Sequence, residues 1–169
     1  ERCEVVEYAL LFDIRRCIGC YSCEVACKQE NDLPVGPRLI RVVTIGPRMV
    51  GEKMRMDYVP ITCLQCGKPD CMDACPKKAI TKRPDGIVVI NEELCSGCKI
   101  CIQACPIGVM QFNPARNVAV KCTMCLERVH KGLKPSCVHH CPAEAISFGD
   151  VNELTEKVRG KYSRAISSM

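Results

Sequence analysis

Tryptophan is absent from this 169-residue sequence, and aromatic residues make up only 4% of it. Large rings therefore contribute little to any hydrophobic core. The sequence also has no apolar run near the ~20 residues that a membrane-spanning helix needs. Its N-terminal segment, Glu1–Arg16, mixes charges and lacks the apolar stretch of a secretory signal peptide. We therefore expect a cytoplasmic chain with no direct membrane anchor.

Patterns typical of an active site are missing too. The sequence shows no nucleotide-binding glycine loop, no nucleophile with an adjacent base, and no pair of carboxylates in a convincing frame. We expect a non-catalytic chain whose activity comes from what it binds.

Cysteine, in contrast, is in large excess, with 17 copies. Sixteen of them form four groups of four, which recur along the chain as an internal repeat. Each group begins with C-x2-C and ends with C-x3-C. The groups are Cys17, Cys20, Cys23 and Cys27; Cys63, Cys66, Cys71 and Cys75; Cys95, Cys98, Cys101 and Cys105; and Cys122, Cys125, Cys137 and Cys141. Cys3 lies outside this spacing, and we expect it to be a spectator.

The third group has the full C-x2-C-x2-C-x3-C-P spacing of bacterial two-cluster ferredoxins, in which the fourth cysteine binds the neighbouring [4Fe–4S] cluster. The first group lacks only the proline, the second has two extra residues in its loop, and the fourth has a longer insertion. Four such groups predict four [4Fe–4S] clusters. Because no group lacks a cysteine, we expect outer-sphere electron transfer and no iron open to substrate.

Two other uses of cysteine fit the pattern less well. Structural zinc needs two C-x2-C pairs per site, which gives no reason for runs of three with a trailing fourth. Disulfides need an oxidising compartment, and repeated spacing by two residues is a poor scaffold for them. Histidine can also bind iron, but no ligand position is vacant here. We therefore expect surface or supporting roles for His130, His139 and His140.

The formal net charge of +5 counts every cysteine as neutral. Four oxidised clusters with their thiolates add about −8, which brings the loaded chain to about −3. The basic residues then serve to offset the clusters, and nucleic-acid binding loses its main support. Lys28, Lys99 and Lys121 lie beside predicted ligands, where each could either raise a cluster's potential or lie in solvent.

Short strands and helical turns are predicted around the cysteine groups, which indicates an α+β fold. The predicted strands are Leu10–Ile14, Ala79–Thr81, Ile87–Ile90, Val118–Val120 and Ala145–Phe148, with residues 84–86 as the turn of a hairpin. The predicted helical turns are Glu24–Ala26, Met72–Ala74 and Ile102–Ala104. Prolines follow the last cysteine of the second, third and fourth groups, where they should end the helical turns.

Two further segments flank this pattern. The cysteine-free residues 31–60 contain the strand candidates Arg38–Ile45 and Met54–Val59, and serve as a linker or a docking arm. Near the C-terminus, Asp150 with Glu153 predicts a capped helix from Val151 to Arg159 that Gly160 ends.

The four cysteine groups lie in the motifs CIGCYSCEVACKQEN, CLQCGKPDCMDACP, CSGCKICIQACP and KCTMCLERVHKGLKPSCVHHCP. Together these motifs resemble the iron–sulfur subunits that accompany molybdenum and tungsten oxidoreductases, known as the dimethyl-sulfoxide-reductase type. The resemblance covers Asp13–Phe148. It implies two ferredoxin-like modules: an inner one at 61–112, inserted into an outer one made of 1–60 and 113–150. A C-terminal helix and tail at 151–169 follow.

The same resemblance implies a nested exchange of ligands, which joins the first group to the fourth and the second to the third. The implied ligand sets are Cys17, Cys20, Cys23 and Cys141; Cys27, Cys122, Cys125 and Cys137; Cys63, Cys66, Cys71 and Cys105; and Cys75, Cys95, Cys98 and Cys101.

The implied function is electron relay in a hetero-oligomer, between a tungsten or molybdenum catalytic subunit and another redox chain. The sequence lacks the C-terminal extension of some relatives, so it looks most like the compact partners of tungsten aldehyde oxidoreductases, including those linked to a flavin and NAD subunit. Subunits of hydrogenase, formate dehydrogenase and carbon monoxide dehydrogenase systems look similar. A free polyferredoxin is a further alternative that the cysteine groups do not separate.

Overall fold

The computed structural model describes residues 6–167, and Cys3 lies outside the described residues. The strands are Tyr8–Phe12 (β1), Ile40–Val50 (β2), Lys53–Thr62 (β3), Ile80–Lys82 (β4), Val88–Ile90 (β5), Gln111–Asn113 (β6), Val118–Val120 (β7) and Ile146–Asp150 (β8). The helices are Ser22–Glu30 (α1), Asp70–Asp73 (α2), Ile100–Ala104 (α3), Leu126–His130 (α4), Ser136–His139 (α5) and Val151–Ser167 (α6). The strands pair as two-stranded antiparallel ladders.

The ladder of β1 and β8 joins the N-terminal strand to the strand that precedes helix α6. Leu10 lies opposite Phe148, and the Tyr8 ring stacks on the Phe148 ring with centroids 5.1 Å apart. The helix that follows β1, α1, packs against α5, which precedes β8. The first and fourth cysteine groups are therefore neighbours in space. Because Tyr8 pairs with Asp150, β1 begins two residues before the predicted strand.

The second and third cysteine groups flank a hairpin of β4 and β5, in which Ile80 lies opposite Ile90. The N–H of Gly86 donates to the carbonyl of Arg83 at 3.0 Å and closes the turn. Helices α2 and α3 precede and follow this hairpin in the chain, and they pack against each other. The predicted strand, turn and strand are confirmed, and each strand begins one residue later than predicted.

Strand β6 was not predicted from the sequence. It pairs with β7 so that Phe112 lies opposite Ala119. Asn113 is 1% exposed and shapes the turn, because its Oδ1 accepts the N–H groups of Ala115 and Arg116 at 3.0 and 3.3 Å. This hairpin carries the chain from the third cysteine group to the fourth, and the expected module boundary at 112/113 falls within β6.

The β2–β3 hairpin is the longest ladder in the described chain. Its base is buried, with Ile40 and Val42 only 2% and 5% exposed. Its far end is exposed, and Met49 lies opposite Met54 with 63% and 74% of their surfaces in solvent. The predicted arm is confirmed as a hairpin, and it is longer than predicted. Its role in docking stays a prediction.

Helix α6 follows β8 directly. Asp150 caps it as predicted, since its Oδ1 accepts the N–H groups of Asn152 at 2.8 Å and Glu153 at 3.4 Å. The expected end at Gly160 was wrong, because the helix continues to Ser167. Glycine lowers helix stability by only ~1 kcal/mol, and the Lys161 side chain beyond it contacts the Asp13 carboxylate.

The buried core contains cysteines beside aliphatic side chains. Cys23, Cys27 and Cys137 pack in one group with Ile87, while Cys101 packs in a second group with Met110. Ligand candidates therefore occupy positions that large apolar residues fill in most domains of this size. No helix within residues 6–167 is both long and apolar enough to cross a membrane.

Candidate metal centres

All four cysteine groups contain the same backbone turn. The second residue after the first cysteine is left-handed in each group: φ is 68° at Gly19, 51° at Gln65, 69° at Gly97 and 54° at Met124. Left-handed residues in such loops point successive backbone N–H groups to one side, which forms a concavity for anions and for iron–sulfur clusters. The structure therefore shows the repeat in its backbone as well as in its spacing.

The last cysteines of three groups share a second feature. The N–H of Ala79 donates to Cys75 Sγ at 3.3 Å, and the N–H of Ala145 donates to Cys141 Sγ at 3.2 Å. Burial tends to raise the pKa of Cys105, but the backbone N–H groups of residues 107–110 outweigh it and lower that pKa overall. Backbone N–H groups thus point at the sulfur of all three cysteines that a proline follows.

Cys27 departs from this feature because Lys28 follows it in place of proline. Helix α1 continues to Glu30, and the amide of Asn31 folds back so that its Nδ2 lies 3.6 Å from Cys27 Sγ and 2.8 Å from the Cys27 carbonyl oxygen. A side chain here supplies the polar contact that the backbone supplies elsewhere. Sequence analysis missed Asn31, although its place one turn after Cys27 was a usable signal.

Three cavities are each lined by four cysteines, one of which comes from a different group. Site 1 is lined by Cys17, Cys20, Cys23 and Cys141; site 2 by Cys63, Cys66, Cys71 and Cys105; and site 3 by Cys75, Cys95, Cys98 and Cys101. The three cavities share an identical donor set of four thiols, which indicates the same kind of occupant.

The remaining cysteines of the four groups, Cys27, Cys122, Cys125 and Cys137, form site 4. Burial, followed by the nearby Cys122 and Cys125 thiols, raises the pKa of both Cys27 and Cys137. Cys125 Sγ also accepts the N–H of Ser136 at 3.5 Å. These four sulfur atoms therefore lie together between α1, α4 and α5.

Burial disfavours thiolates at these sites unless a cation accompanies them. It raises the pKa of Cys23 to about 12 and that of Cys101 to about 11. Iron supplies the missing positive charge, so cluster binding should release protons and stabilise the fold.

The donor set fits [4Fe–4S] clusters, since each site offers four thiols around its own space and N–H groups directed at sulfur. Within residues 6–167, no group of three or more His, Cys, Asp or Glu side chains is arranged to hold a single metal ion.

Two family profiles described as a 4Fe–4S dicluster domain match the chain, one over residues 16–79 and one over residues 54–151. A chain of the anaerobic dimethyl sulfoxide reductase of Escherichia coli is 37% identical, over 89% of this chain and 77% of its own length. A chain of the polysulfide reductase of Wolinella succinogenes is 35% identical, over 90% and 81%. A subunit of the tetrathionate reductase of Salmonella typhimurium is 40% identical, over 89% and 61%.

The chain belongs to the 4Fe–4S dicluster family. Within it, the chain is an iron–sulfur subunit of the dimethyl-sulfoxide-reductase type, as the motifs predicted. Two dicluster domains mean four [4Fe–4S] clusters, and this prediction is also confirmed.

Histidines lie at the edge of this dicluster chain. His140 Nδ1 is 2.9 Å from the Ser136 carbonyl oxygen, and the His139 ring meets the His140 ring edge-on. His130 Nε2 is 3.2 Å from the Arg83 guanidinium. These contacts are with protein groups, which is compatible with the supporting roles predicted for all three.

The three lysines beside predicted ligands differ in surroundings. Lys28 Nζ donates to the carbonyl oxygens of Pro34 at 2.6 Å and Pro37 at 3.2 Å, while exposed Lys99 lies 4.1 Å above the Phe112 ring. Lys121 is only 2% exposed. Of the two interpretations left open by the sequence, the solvent-exposed one is therefore wrong for Lys121.

Proposed function

We propose that the chain relays electrons through four [4Fe–4S] clusters, between a molybdenum-type reductase catalytic subunit and another redox subunit or soluble carrier. The supporting observation is the presence of four separate four-thiol sites in one small chain. Each bound cluster supplies outer-sphere transfer of one electron at a time. The chain's own residues hold the clusters, exclude water with the buried aliphatic core, and direct backbone N–H groups at sulfur.

The proposed ligands are the four cysteine sets that line sites 1 to 4. In each site, three ligands come from one group and the fourth comes from its partner group, so the exchange links β1 with β8 and α2 with α3. This arrangement supports the proposal of an inner module at 61–112 inserted into an outer one. It also explains how a chain with few large side chains keeps a fixed shape, because each occupied site crosslinks distant segments.

The relatives' names bear on the catalytic partner. They are subunits of reductases for dimethyl sulfoxide, polysulfide and tetrathionate, which favours a molybdenum-type reductase over the tungsten aldehyde oxidoreductase expected from the sequence. The expectation rested on chain length. Since the chain covers 61–81% of these relatives, its length does not discriminate between partners. A flavin or NAD-linked subunit stays a proposed second partner.

The proposed compartment is the cytoplasm, where thiols are kept reduced and available for iron.

Metal analysis of the complex, purified without oxygen from its native cells, tests the proposal. We expect about sixteen irons and matching acid-labile sulfide per chain, with stoichiometric molybdenum in a co-purifying subunit. Tungsten instead of molybdenum would restore the aldehyde-oxidoreductase-type partner. Sixteen irons with neither metal would indicate a hydrogenase or carbon monoxide dehydrogenase system, or a free polyferredoxin. Zinc without sulfide would overturn the cluster assignment altogether.

A further inference from the structure

Lys121 is a buried lysine at the centre of the molecule, between the end of β7 and the ligand candidate Cys122. Only 2% of its surface is exposed. Lysine is almost never buried to this degree unless a partner compensates its charge.

Three acceptors surround the Lys121 ammonium. Its Nζ donates to the carbonyl oxygen of Val88, to the carbonyl oxygen of Cys122 at 2.9 Å, and to Gln65 Oε1 at 3.3 Å. A protonated lysine has three N–H donors and no acceptor, so these three oxygens match the charged form. The Lys121 side chain is thus held as a fixed positive charge.

Gln65 orients this arrangement. Its Nε2 donates to the Cys122 carbonyl oxygen at 2.8 Å, and its Oε1 also accepts the backbone N–H of Val88 at 2.9 Å. Gln65 is itself 6% exposed and occupies the left-handed position of the second cysteine group. A non-glycine residue at that position is strained, and its hydrogen bonds to β5 and to Cys122 offset the strain.

No carboxylate of residues 6–167 forms an ion pair with Lys121. An unpaired buried charge is strongly destabilising, because no neighbouring ion replaces the lost hydration. Two of its hydrogen-bond partners lie at site 2, because Gln65 is between Cys63 and Cys66 in the chain and Val88 lines the same cavity. The thiols of site 2 are therefore groups close to Lys121 that can carry negative charge.

We propose that Lys121 is the internal counter-ion of site 2 and raises the reduction potential of the cluster held by Cys63, Cys66, Cys71 and Cys105. This inference rests on the proposed function, because it takes the ligand set of site 2 from it. Reduction adds one negative charge to the cluster, and a fixed cation in a low-dielectric interior stabilises that charge.

The test is a redox titration of the full chain with its four clusters, followed by electron paramagnetic resonance. In Lys121→Met, one midpoint potential should fall by about 59 mV or more. For one electron, this fall corresponds to a tenfold or greater change in the reduction equilibrium. Its assignment to site 2 follows from its absence in Cys66→Ala. The matched control is Lys99→Met, which removes the same charge beside Cys98 of site 3. Because Lys99 is exposed, solvent and salt screen its charge. The Lys99→Met variant should therefore change the reduction equilibrium of the site 3 cluster less than threefold.

A second variant keeps the inference testable if Lys121→Met fails to retain its iron. Lys121→Gln removes the charge but keeps a hydrogen-bonding side chain in the same place, so the site 2 midpoint potential should fall by about 59 mV or more as well. Unchanged potentials in whichever variant retains about sixteen irons would overturn the role of Lys121 and leave the four-cluster assignment intact. A wild-type chain with fewer than four clusters would instead overturn the proposed function.

Discussion

The buried carboxylate of Glu24 accepts a hydrogen bond from the backbone N–H of Val42, with Oε1 and N 2.6 Å apart. Glu24 is 6% exposed, and its second oxygen accepts Arg38 Nη1 at 3.1 Å. It lies in α1 between Cys23 and Cys27, which belong to sites 1 and 4. One side chain therefore fixes α1, which carries cysteines of two sites, to the base of the β2–β3 hairpin.

Replacing Glu24 should make the clusters less stable. Glu24→Ala leaves the buried N–H of Val42 without an acceptor, and losing a hydrogen bond to a charged group costs about 1.5–3 kcal/mol. We expect the visible cluster absorbance to bleach about tenfold faster or more in mild denaturant under argon, since 1.4 kcal/mol corresponds to tenfold. Glu30→Ala, which removes a partly exposed ion pair with Arg128 from the same helix, should bleach less than threefold faster. Equal rates for the two variants would contradict this assignment.

The exchange of the fourth ligand gives a sharp test of the cysteine sets. Cys141→Ala and Cys20→Ala should disturb the same cluster, because both residues line site 1. Cys27→Ala should disturb a different one, although Cys27 and Cys20 belong to the same group in the sequence. Electron paramagnetic resonance of the reduced variants, together with iron counts below about sixteen, checks this. Cys3→Ser is the control and should keep all four signals. A Cys27→Ala spectrum that matches Cys20→Ala would rule out the exchange.

The cysteine spacing predicted most of what local sequence determines. Proline after Cys75 and Cys105 ends α2 and α3 within a turn, and its absence after Cys27 lets α1 run on to Glu30. These outcomes depend on backbone chemistry within a few residues. They could therefore be read from the sequence.

Features that depend on distant neighbours were not predictable in the same way. Strand β6 has only three residues, too few to show alternation, and it forms because β7 lies beside it. The burial of Lys121 depends on Gln65 and Val88, which are 56 and 33 residues away. Gly160 was expected to end α6. The helix continues past Gly160, and the next residue, Lys161, contacts Asp13 from a distant part of the sequence.

Glycine at position 97 should be necessary for site 3. A Cβ at Gly97 would lie 2.6 Å from the Asn117 carbonyl oxygen, and its φ of +69° disfavours any side chain. Gly97→Ala should therefore distort the turn between Cys95 and Cys98 and lose the site 3 cluster. Iron analysis and the loss of one resonance signal measure this.

Gly108→Ala is the matched control for Gly97→Ala. Its φ is +64°, but no atom lies within 4 Å of the added Cβ. It should cost only ~1–2 kcal/mol of backbone strain and keep all four clusters. Equal loss of iron in both variants would show that φ alone, without the contact to Asn117, sets the requirement at Gly97.

The sequence leaves residues 31–60 open as a linker or a docking arm, and we expect the exposed end of the β2–β3 hairpin to contact the catalytic subunit of the proposed complex. Met49 and Met54 lie opposite each other there, so a pair of glutamates would place two like charges on one apolar surface. We expect Met49→Glu with Met54→Glu to keep about sixteen irons while lowering recovery of the catalytic subunit at least tenfold on affinity purification from native cells. Val35→Glu changes a residue that is 97% exposed outside the hairpin, and it should leave recovery unchanged. If the catalytic subunit is recovered equally with the wild type and with both variants, the hairpin only connects cysteine groups. The docking surface then lies elsewhere.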